Sequence, residues 1–144
     1  MSLIEQRYPR LGRLVQLWRA QCRDHAPPFA SAVLGPGLAD LAPATVLMTR
    51  AENGSERLTI TVSGSEVDAL YGESLTGAPV RRLAPDSGDA AEEAMSAIET
   101  ARPVVIEDEF RVDGDRRRVA RVYLPLANDD GSTDGVLCGI VAVI

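Results

Sequence analysis

Residues able to perform acid–base or nucleophilic chemistry are few in this chain, and they do not form a recognisable catalytic set. The single histidine, His25, follows a helical segment and precedes Ala26-Pro27-Pro28. This setting is typical of a surface or helix-capping imidazole, with a haem ligand as the alternative. Serine or cysteine catalysis needs a base held beside the nucleophile, and His25, in its surface or capping setting, is the only histidine that could supply one. We therefore predict that the protein is not an enzyme.

Carboxylates occur in two short runs, Glu92-Glu93 and Glu107-Asp108-Glu109. General acid–base catalysis requires a carboxyl group whose pKa is raised in a pocket, whereas such runs are typical of solvated surfaces. Asp108 differs, because period-two spacing places it with Ile106 and Phe110 on the apolar face of a strand. We expect Asp108 either to bulge outward or to reach a buried polar partner such as an arginine.

Arginines and cysteines offer weaker signals. The run Arg116-Arg117-Arg118 is typical of a solvated edge strand that resists pairing, and a contact with an acidic protein or an anionic nucleotide is the alternative. Cys22 and Cys138 match no zinc-binding spacing. Because both lie in apolar segments, we interpret them as small buried side chains.

Composition indicates one globular domain of 144 residues, with 45% hydrophobic and 25% charged residues. The formal net charge of −6 argues against nucleic acid or an anionic membrane as the main partner, because both require a cationic surface. No apolar run approaches the roughly 20 residues of a membrane span, and the first ten residues lack a signal-peptide pattern. We expect a cytoplasmic protein.

The first half of the chain predicts a helix, a hairpin and a short helix. The helix begins near Pro9 and carries one apolar face, formed by Leu11, Leu14, Val15, Trp18 and Cys22. The turn dipeptide Asn53-Gly54 then predicts a β-hairpin, whose second strand alternates polar and apolar residues up to Gly64. The segment 65–71 predicts a short helix with Gly72 as its C-cap.

The second half predicts one helix and three strands. The helix, 90–101, has an apolar face made of Ala91, Ala94, Met95, Ile98 and Ala101. A hairpin turn at Asp113-Gly114 joins the next two strands. The last strand, Val136–Ile144, is apolar on both faces, so it must be central in its sheet and covered behind, by the first helix or by a partner's copy of it. The fold class is therefore α+β, with a five-stranded antiparallel sheet.

The segment from Thr61 to Gly77 contains three features in order. A predicted strand ends at Gly64-Ser65, a short predicted helix ends at Tyr71-Gly72, and the tripeptide Leu-Thr-Gly follows at 75–77. This arrangement resembles a bacterial PAS family known mainly from alphaproteobacteria, often as stand-alone domains. Thr61 stands where that family often has an arginine. The resemblance also covers the first helix with Trp18, the strand segment Leu124-Pro125-Leu126 and the turn Asp130-Gly131. It implies a PAS-like sheet with short helices over one face.

The resemblance and the residue patterns together predict two parts, an N-terminal helix (1–27) and a PAS core (28–144), and two sites. An internal ligand pocket would be lined by Leu58, Ile60, Val67, Tyr71, Met95, Ile98, Ile106 and Leu124. The first helix would form a homodimer or signalling-partner surface through Leu11, Leu14, Val15 and Trp18. The expected function is a sensory module that acts by protein association, with or without a gating ligand. The alternatives are a small-molecule carrier or enzyme and a ligand-free adaptor, and no cofactor is specified.

Overall fold

The computed structural model describes residues 6–50 and 58–143. Its α-helices are α1 (Pro9–Gln21), α2 (Ala30–Val33), α3 (Ser65–Tyr71) and α4 (Ala90–Thr100). Its strands are β1 (Thr45–Arg50), β2 (Leu58–Ser63), β3 (Val104–Val112), β4 (Asp115–Ala127) and β5 (Thr133–Ala142). Short 3₁₀ turns lie at Pro36–Leu38, Ala42–Ala44 and Val80–Leu83.

The five strands form one antiparallel sheet in the order β2-β1-β5-β4-β3. The predicted fold class and the central position of the last strand are therefore confirmed. β5 is buried on both faces over most of its length, as its apolar sequence indicated.

Turn residues account for the hairpins. Asp113 and Gly114 both have positive φ, 51° and 85°, and the flanking Val112 and Asp115 pair across the ladder, which is the geometry of a two-residue hairpin loop. β1 and β2 also pair as predicted, although the turn residues Asn53-Gly54 lie outside the described residues. Gly72 caps α3 in the left-handed region with φ 72°, which confirms its predicted role.

Helices cover both faces of the sheet. We call the face under α3 and α4 the front face and the face under α1 the rear face. Gly64 allows the chain to enter α3 close to the turn before β1, since an added Cβ there would lie 2.3 Å from the carbonyl oxygen of Pro43. Among the described helices, none has the length and apolar character needed to cross a membrane.

The rear face is covered by the chain's own first helix. The predicted apolar side chains of α1 are 1–5% exposed, namely Leu11, Leu14, Val15 and Trp18. Gly139 on β5 leaves room for this packing, because a Cβ at that position would lie 2.5 Å from the side chain of Leu14. The indole of Trp18 also donates a hydrogen bond of 2.7 Å to the carbonyl oxygen of Pro125. Burial of each such side chain stabilises the fold by roughly 1.5–3 kcal/mol.

Of two sequence predictions about the helices, the burial of Cys22 is wrong and the apolar face of α4 is correct only in part. Cys22 is exposed, because α1 ends at Gln21 and the chain at Cys22 is already extended. The buried face of α4 consists of Ala90, Ala94 and Ala97. The predicted Met95 and Ile98 are only half-buried. Small side chains let α4 approach the sheet closely, and the larger ones lie along its sides.

Candidate functional site

A fully buried arginine lies on the front face of the sheet, on the strand next to the edge strand β3. Arg121, on β4, is 1% exposed. Its position follows from strand alternation, because Val119 and Tyr123 flank it within the front core and the residues between them belong to the rear core. Arginine is almost never fully buried without partners. The groups around Arg121 therefore define the candidate site.

The guanidinium joins α4, β3 and β4. Its Nη2 donates to Oε1 of Glu93 at 2.9 Å, its Nη1 donates to Oδ2 of Asp108 at 2.9 Å, and its Nε donates to the hydroxyl of Tyr123 at 2.8 Å. The Tyr123 hydroxyl in turn donates to the same Glu93 oxygen at 2.6 Å. We call these four residues the Arg121 cluster.

A second contact links the cluster to the 3₁₀ turn Val80–Leu83. Nη1 of Arg121 donates to the carbonyl oxygen of Leu83 at 3.4 Å, and that oxygen also accepts a hydrogen bond of 2.6 Å from the hydroxyl of Tyr71. The Tyr71 ring stacks on Phe110 with ring centroids 4.7 Å apart. The hydroxyl of Tyr71, a predicted pocket residue, is thus already bonded to the backbone.

Burial controls the protonation of the cluster. Burial alone would lower the pKa of Arg121, but its interactions with Tyr123 and Glu93 raise it instead. Burial raises the pKa of Tyr123, and it raises the pKa of the neighbouring Cys138 thiol to about 12. Arg121 therefore stays charged while the phenol and the thiol stay protonated near neutral pH. These protonation states favour a permanent ion pair between Arg121 and its carboxylates over proton transfer.

The carboxylates of the Arg121 cluster are more exposed to solvent than the arginine. The carboxylate side chains of Glu93 and Asp108 are 17% and 22% exposed, whereas the Arg121 side chain is 1% exposed. The carboxylates therefore lie on the solvent side. A molecule that enters from solvent meets them before it meets the guanidinium.

The predicted ligand-pocket residues do not all share one face. Leu58, Ile60, Val67 and Tyr71 belong to the buried front core, and Met95, Ile98 and Ile106 pack against it half-buried. Leu124 belongs to the rear core instead, so its assignment to the pocket is wrong. β4 is buried on both faces from Val119 onward, so its apolar pattern could not show which of the two faces α3 and α4 cover. Ligand binding by the other residues stays a prediction.

The predicted partner-binding residues Leu11, Leu14, Val15 and Trp18 lie under α1, against the sheet of the same chain. A partner could reach these side chains only if α1 left its own sheet. Their role in association stays a prediction.

The structure resolves the two expectations for the acidic runs. Asp108 reaches a buried arginine, which was one of its two predicted arrangements. The interpretation of Glu93 as a solvated residue is wrong, because its carboxylate accepts from both Arg121 and Tyr123. Sequence reasoning missed Arg121 and Tyr123. The available signal was one arginine, Arg121, inside the otherwise apolar part of β4, residues 119–127.

The remaining candidate residues lie at the surface. His25 is 94% exposed in its side chain and lies 3.4 Å from Asp24, which confirms a surface imidazole. β4 as a whole lies between β3 and β5, but its ladder with β5 begins at Val119, so among the described strands Arg116 and Arg117 pair with β3 alone, which agrees with the edge-strand interpretation. Arg116 and Arg118 are solvated, and both contact Glu109. Among the described residues, no group of three or more histidine, cysteine, aspartate or glutamate side chains could hold a metal ion.

No protein-family model and no curated protein matches the sequence. Solved structures do match it. A PAS domain from Colwellia psychrerythraea shares 18% identity over 73% of this chain and 92% of its own, with a TM-score of 0.55. A fungal LOV domain photoreceptor shares 20% identity over 92% of this chain and 88% of its own, with a TM-score of 0.55. A sensory box sensor histidine kinase from Vibrio cholerae shares 13% identity over 74% of this chain and 88% of its own, with a TM-score of 0.51. The chain therefore has the PAS fold, as its sequence predicted.

Proposed function

We propose that this chain is a cytoplasmic, bacterial PAS-type sensory module that acts by protein association, and that a small ligand controls this association through the Arg121 cluster. The observation that carries the proposal is the burial of a charged arginine that ties α4 to β3 and β4. The similar structures include a photoreceptor domain and a sensor kinase, which supports a sensory role.

The energetics of buried ion pairs favour a switch over a purely structural role. Desolvation offsets most of the attraction in such a pair, and apolar residues of the same shape often stabilise a fold equally well or better. Removal of one partner, in contrast, is strongly destabilising because it leaves a buried charge. A ligand that offers an acceptor to Arg121 in place of Glu93 would therefore release α4 from the sheet.

The proposal includes homodimerisation by exchange of α1 between two copies of the chain. If two copies exchange α1, the apolar face of the helix is buried on the partner's sheet in the same way as on its own. Exchange of an identical element is an inexpensive route to a dimer because it creates few new contacts. The exchange would leave Leu11, Leu14, Val15 and Trp18 in equivalent surroundings.

A ligand-free adaptor is the second candidate, and the packing of the front core favours it. Ile60, Val67 and Leu75 are completely buried in that core. A filled interior of this kind needs no ligand to be stable.

Native mass spectrometry of freshly purified protein tests the proposal, because it reports bound small molecules and oligomeric state together. The wild type is compared with Arg121→Met and with Arg116→Met, the same substitution at a solvated position of the same strand. We expect a bound small molecule in the wild type and in Arg116→Met, and its loss in Arg121→Met. If Arg121→Met does not fold, Glu93→Gln, which preserves the side-chain shape, replaces it in the comparison. If all proteins are ligand-free and share one oligomeric state, ligand control is wrong and the adaptor is favoured.

A further inference from the structure

Three hydrogen-bond donors of β4 converge on a single carboxylate oxygen. Nε and Nη2 of Arg121 lie 3.2 and 2.9 Å from Oε1 of Glu93, and the hydroxyl of Tyr123 lies 2.6 Å from the same atom. Arg121 and Tyr123 are 1% and 0% exposed. Both residues belong to a strand that is paired on both sides at their positions. The donors therefore form a preorganised, buried site for an anionic oxygen.

The acceptor comes from a different element and is less enclosed than the donors. Glu93 belongs to α4, and its side chain is 17% exposed. The fully buried residues of α4 are alanines, so the helix itself does not hold the carboxylate at the guanidinium. Withdrawal of Glu93 into water would leave the donors of Arg121 and Tyr123 unpaired, and a buried group without its partner costs about 1–3 kcal/mol. The same donors would therefore bind another acceptor.

The tethered carboxylate does not use the guanidinium fully. The Nε–H and one Nη2–H of an arginine are parallel, and the strongest pairing gives each of them its own carboxylate oxygen. Glu93 instead places one oxygen between the two nitrogens. Nη1 is held separately by Asp108 and by the carbonyl oxygen of Leu83. A free carboxylate, which is not attached to a helix, can turn so that both of its oxygens lie along the Nε–Nη2 edge.

Charge balance favours a ligand with a single negative charge. The guanidinium of Arg121 contacts two carboxylates, those of Glu93 and Asp108. When Glu93 withdraws, Arg121 and Asp108 together are neutral, and a monoanion restores the charge that the cluster has now. A dianion such as sulfate would add a second negative charge near Asp108, where the low dielectric of the interior strengthens repulsion.

We propose that the Arg121 cluster binds a small monocarboxylate, and that Glu93 occupies this site as an internal competitor while the ligand is absent. The inference rests on the proposed function, because it names the class of ligand that displaces Glu93. A tethered group competes at an effective concentration of about 1 mM or more. The ligand therefore binds when it is abundant or when the rest of the molecule makes further contacts. Its binding releases the bond between α4 and the sheet at Arg121.

Glu93→Ala tests the inference with acetate as the probe, because the truncation removes a methylene and a carboxylate, which together match acetate in size. Urea unfolding at pH 7 is compared in sodium acetate, sodium chloride and sodium sulfate of equal ionic strength. At ten times its dissociation constant, acetate should raise the folding equilibrium constant of Glu93→Ala about tenfold relative to chloride. Glu92→Ala, truncated at the exposed neighbour, corrects for the general effect of each salt.

Two further measurements make the test specific to the guanidinium. The double variant Glu93→Ala/Arg121→Met lacks both charges and should not respond to acetate. In the wild type, acetate should shift the Nε–H signal of Arg121 with a weaker affinity than in Glu93→Ala, because Glu93 competes. If Glu93→Ala does not fold in chloride, Glu93→Gln replaces it, since a neutral amide competes with acetate less than a carboxylate does.

Three results would overturn the inference. The first is equal stabilisation of Glu93→Ala by acetate and chloride after the Glu92→Ala correction. The second is stabilisation by sulfate as strong as that by acetate, which would contradict the single charge. The third is a wild-type Arg121 signal that does not move even in molar acetate, which would show that Glu93 is not displaced.

The inference and the proposed function fail separately. If the bound molecule is not a carboxylate, native mass spectrometry still shows its loss in Arg121→Met, while acetate has no effect. If acetate binds but freshly purified wild type carries no ligand and shares one oligomeric state with the variants, the site takes a carboxylate and ligand control of association is wrong.

Discussion

Glu93→Ala removes the oxygen that joins α4 to the sheet at the Arg121 cluster. In the wild type, Oε1 of Glu93 accepts hydrogen bonds from Nε and Nη2 of Arg121 at 3.2 and 2.9 Å and from Tyr123 at 2.6 Å. The truncated side chain leaves the Tyr123 hydroxyl without its acceptor. It also leaves a buried guanidinium with Asp108 as its remaining carboxylate.

The magnitude follows from the burial of the two partners. Loss of one member of a buried ion pair costs about 3–5 kcal/mol. Because Glu93 is 17% exposed and Asp108 still neutralises Arg121, we place the loss at the lower end, about 3 kcal/mol. In a domain of this size that loss lowers the melting temperature by roughly 10 °C.

Urea unfolding followed by circular dichroism measures this loss, with Glu92→Ala as the matched control. Glu92 is the preceding residue of the same helical turn and is exposed. Its truncation should change the free energy of unfolding by no more than about 0.5 kcal/mol. If the two variants unfold at the same urea concentration with equal slopes, the Arg121 cluster carries no stabilising contact and our reasoning is refuted.

Further predictions concern the surface and the thiols. The hydrogen bond from Arg10 lowers the pKa of Glu66, so Arg10→Gln should raise that pKa in an NMR titration. The stabilisation it supplies should be present at neutral pH and disappear as the pH falls below about 4; a stability difference that persists in acid would contradict this. At pH 8 a thiol reagent should label the exposed Cys22 quickly and the buried Cys138 only after unfolding, and rapid labelling of both would contradict the packing. The single tryptophan, Trp18, is 5% exposed, so its fluorescence should shift to longer wavelength on unfolding; an unchanged emission maximum would place it in water.

Local sequence signals were sufficient to predict the antiparallel sheet and its central strand. β5 is apolar on both faces, and only a central strand can bury both. Asp113 and Gly114 tolerate the positive φ that the hairpin requires. Each of these signals depends on one or two residues and on backbone sterics. For this reason they can be read without knowledge of the distant parts of the chain.

The interior of the site could not be predicted in the same way. Because β4 is buried on both faces from Val119 onward, its sequence does not show which face α3 and α4 cover, and Leu124 was assigned to the pocket although its face lies under α1. The predicted face of α4 was rotated away from Ala90 and Ala97, which are buried, and Glu93 was placed outside the core because carboxylate runs are usually solvated. Burial of Arg121 depends on carboxylates that come from positions 13 and 28 residues away in the chain. Its neighbours along the strand do not reveal these partners.

The most direct test of the account is the hydrogen exchange of the Arg121 side chain, observed in ¹H–¹⁵N spectra of the guanidinium groups. We expect the Nε–H of Arg121, which is bonded to Tyr123 and Glu93, to remain visible at pH values where solvated arginines such as Arg116 are lost by exchange. Glu93→Gln should weaken this protection, while Glu92→Gln should not. If the Nε–H of Arg121 exchanges as fast as that of Arg116, the Arg121 side chain is open to water and the ion pair between α4 and the sheet does not exist.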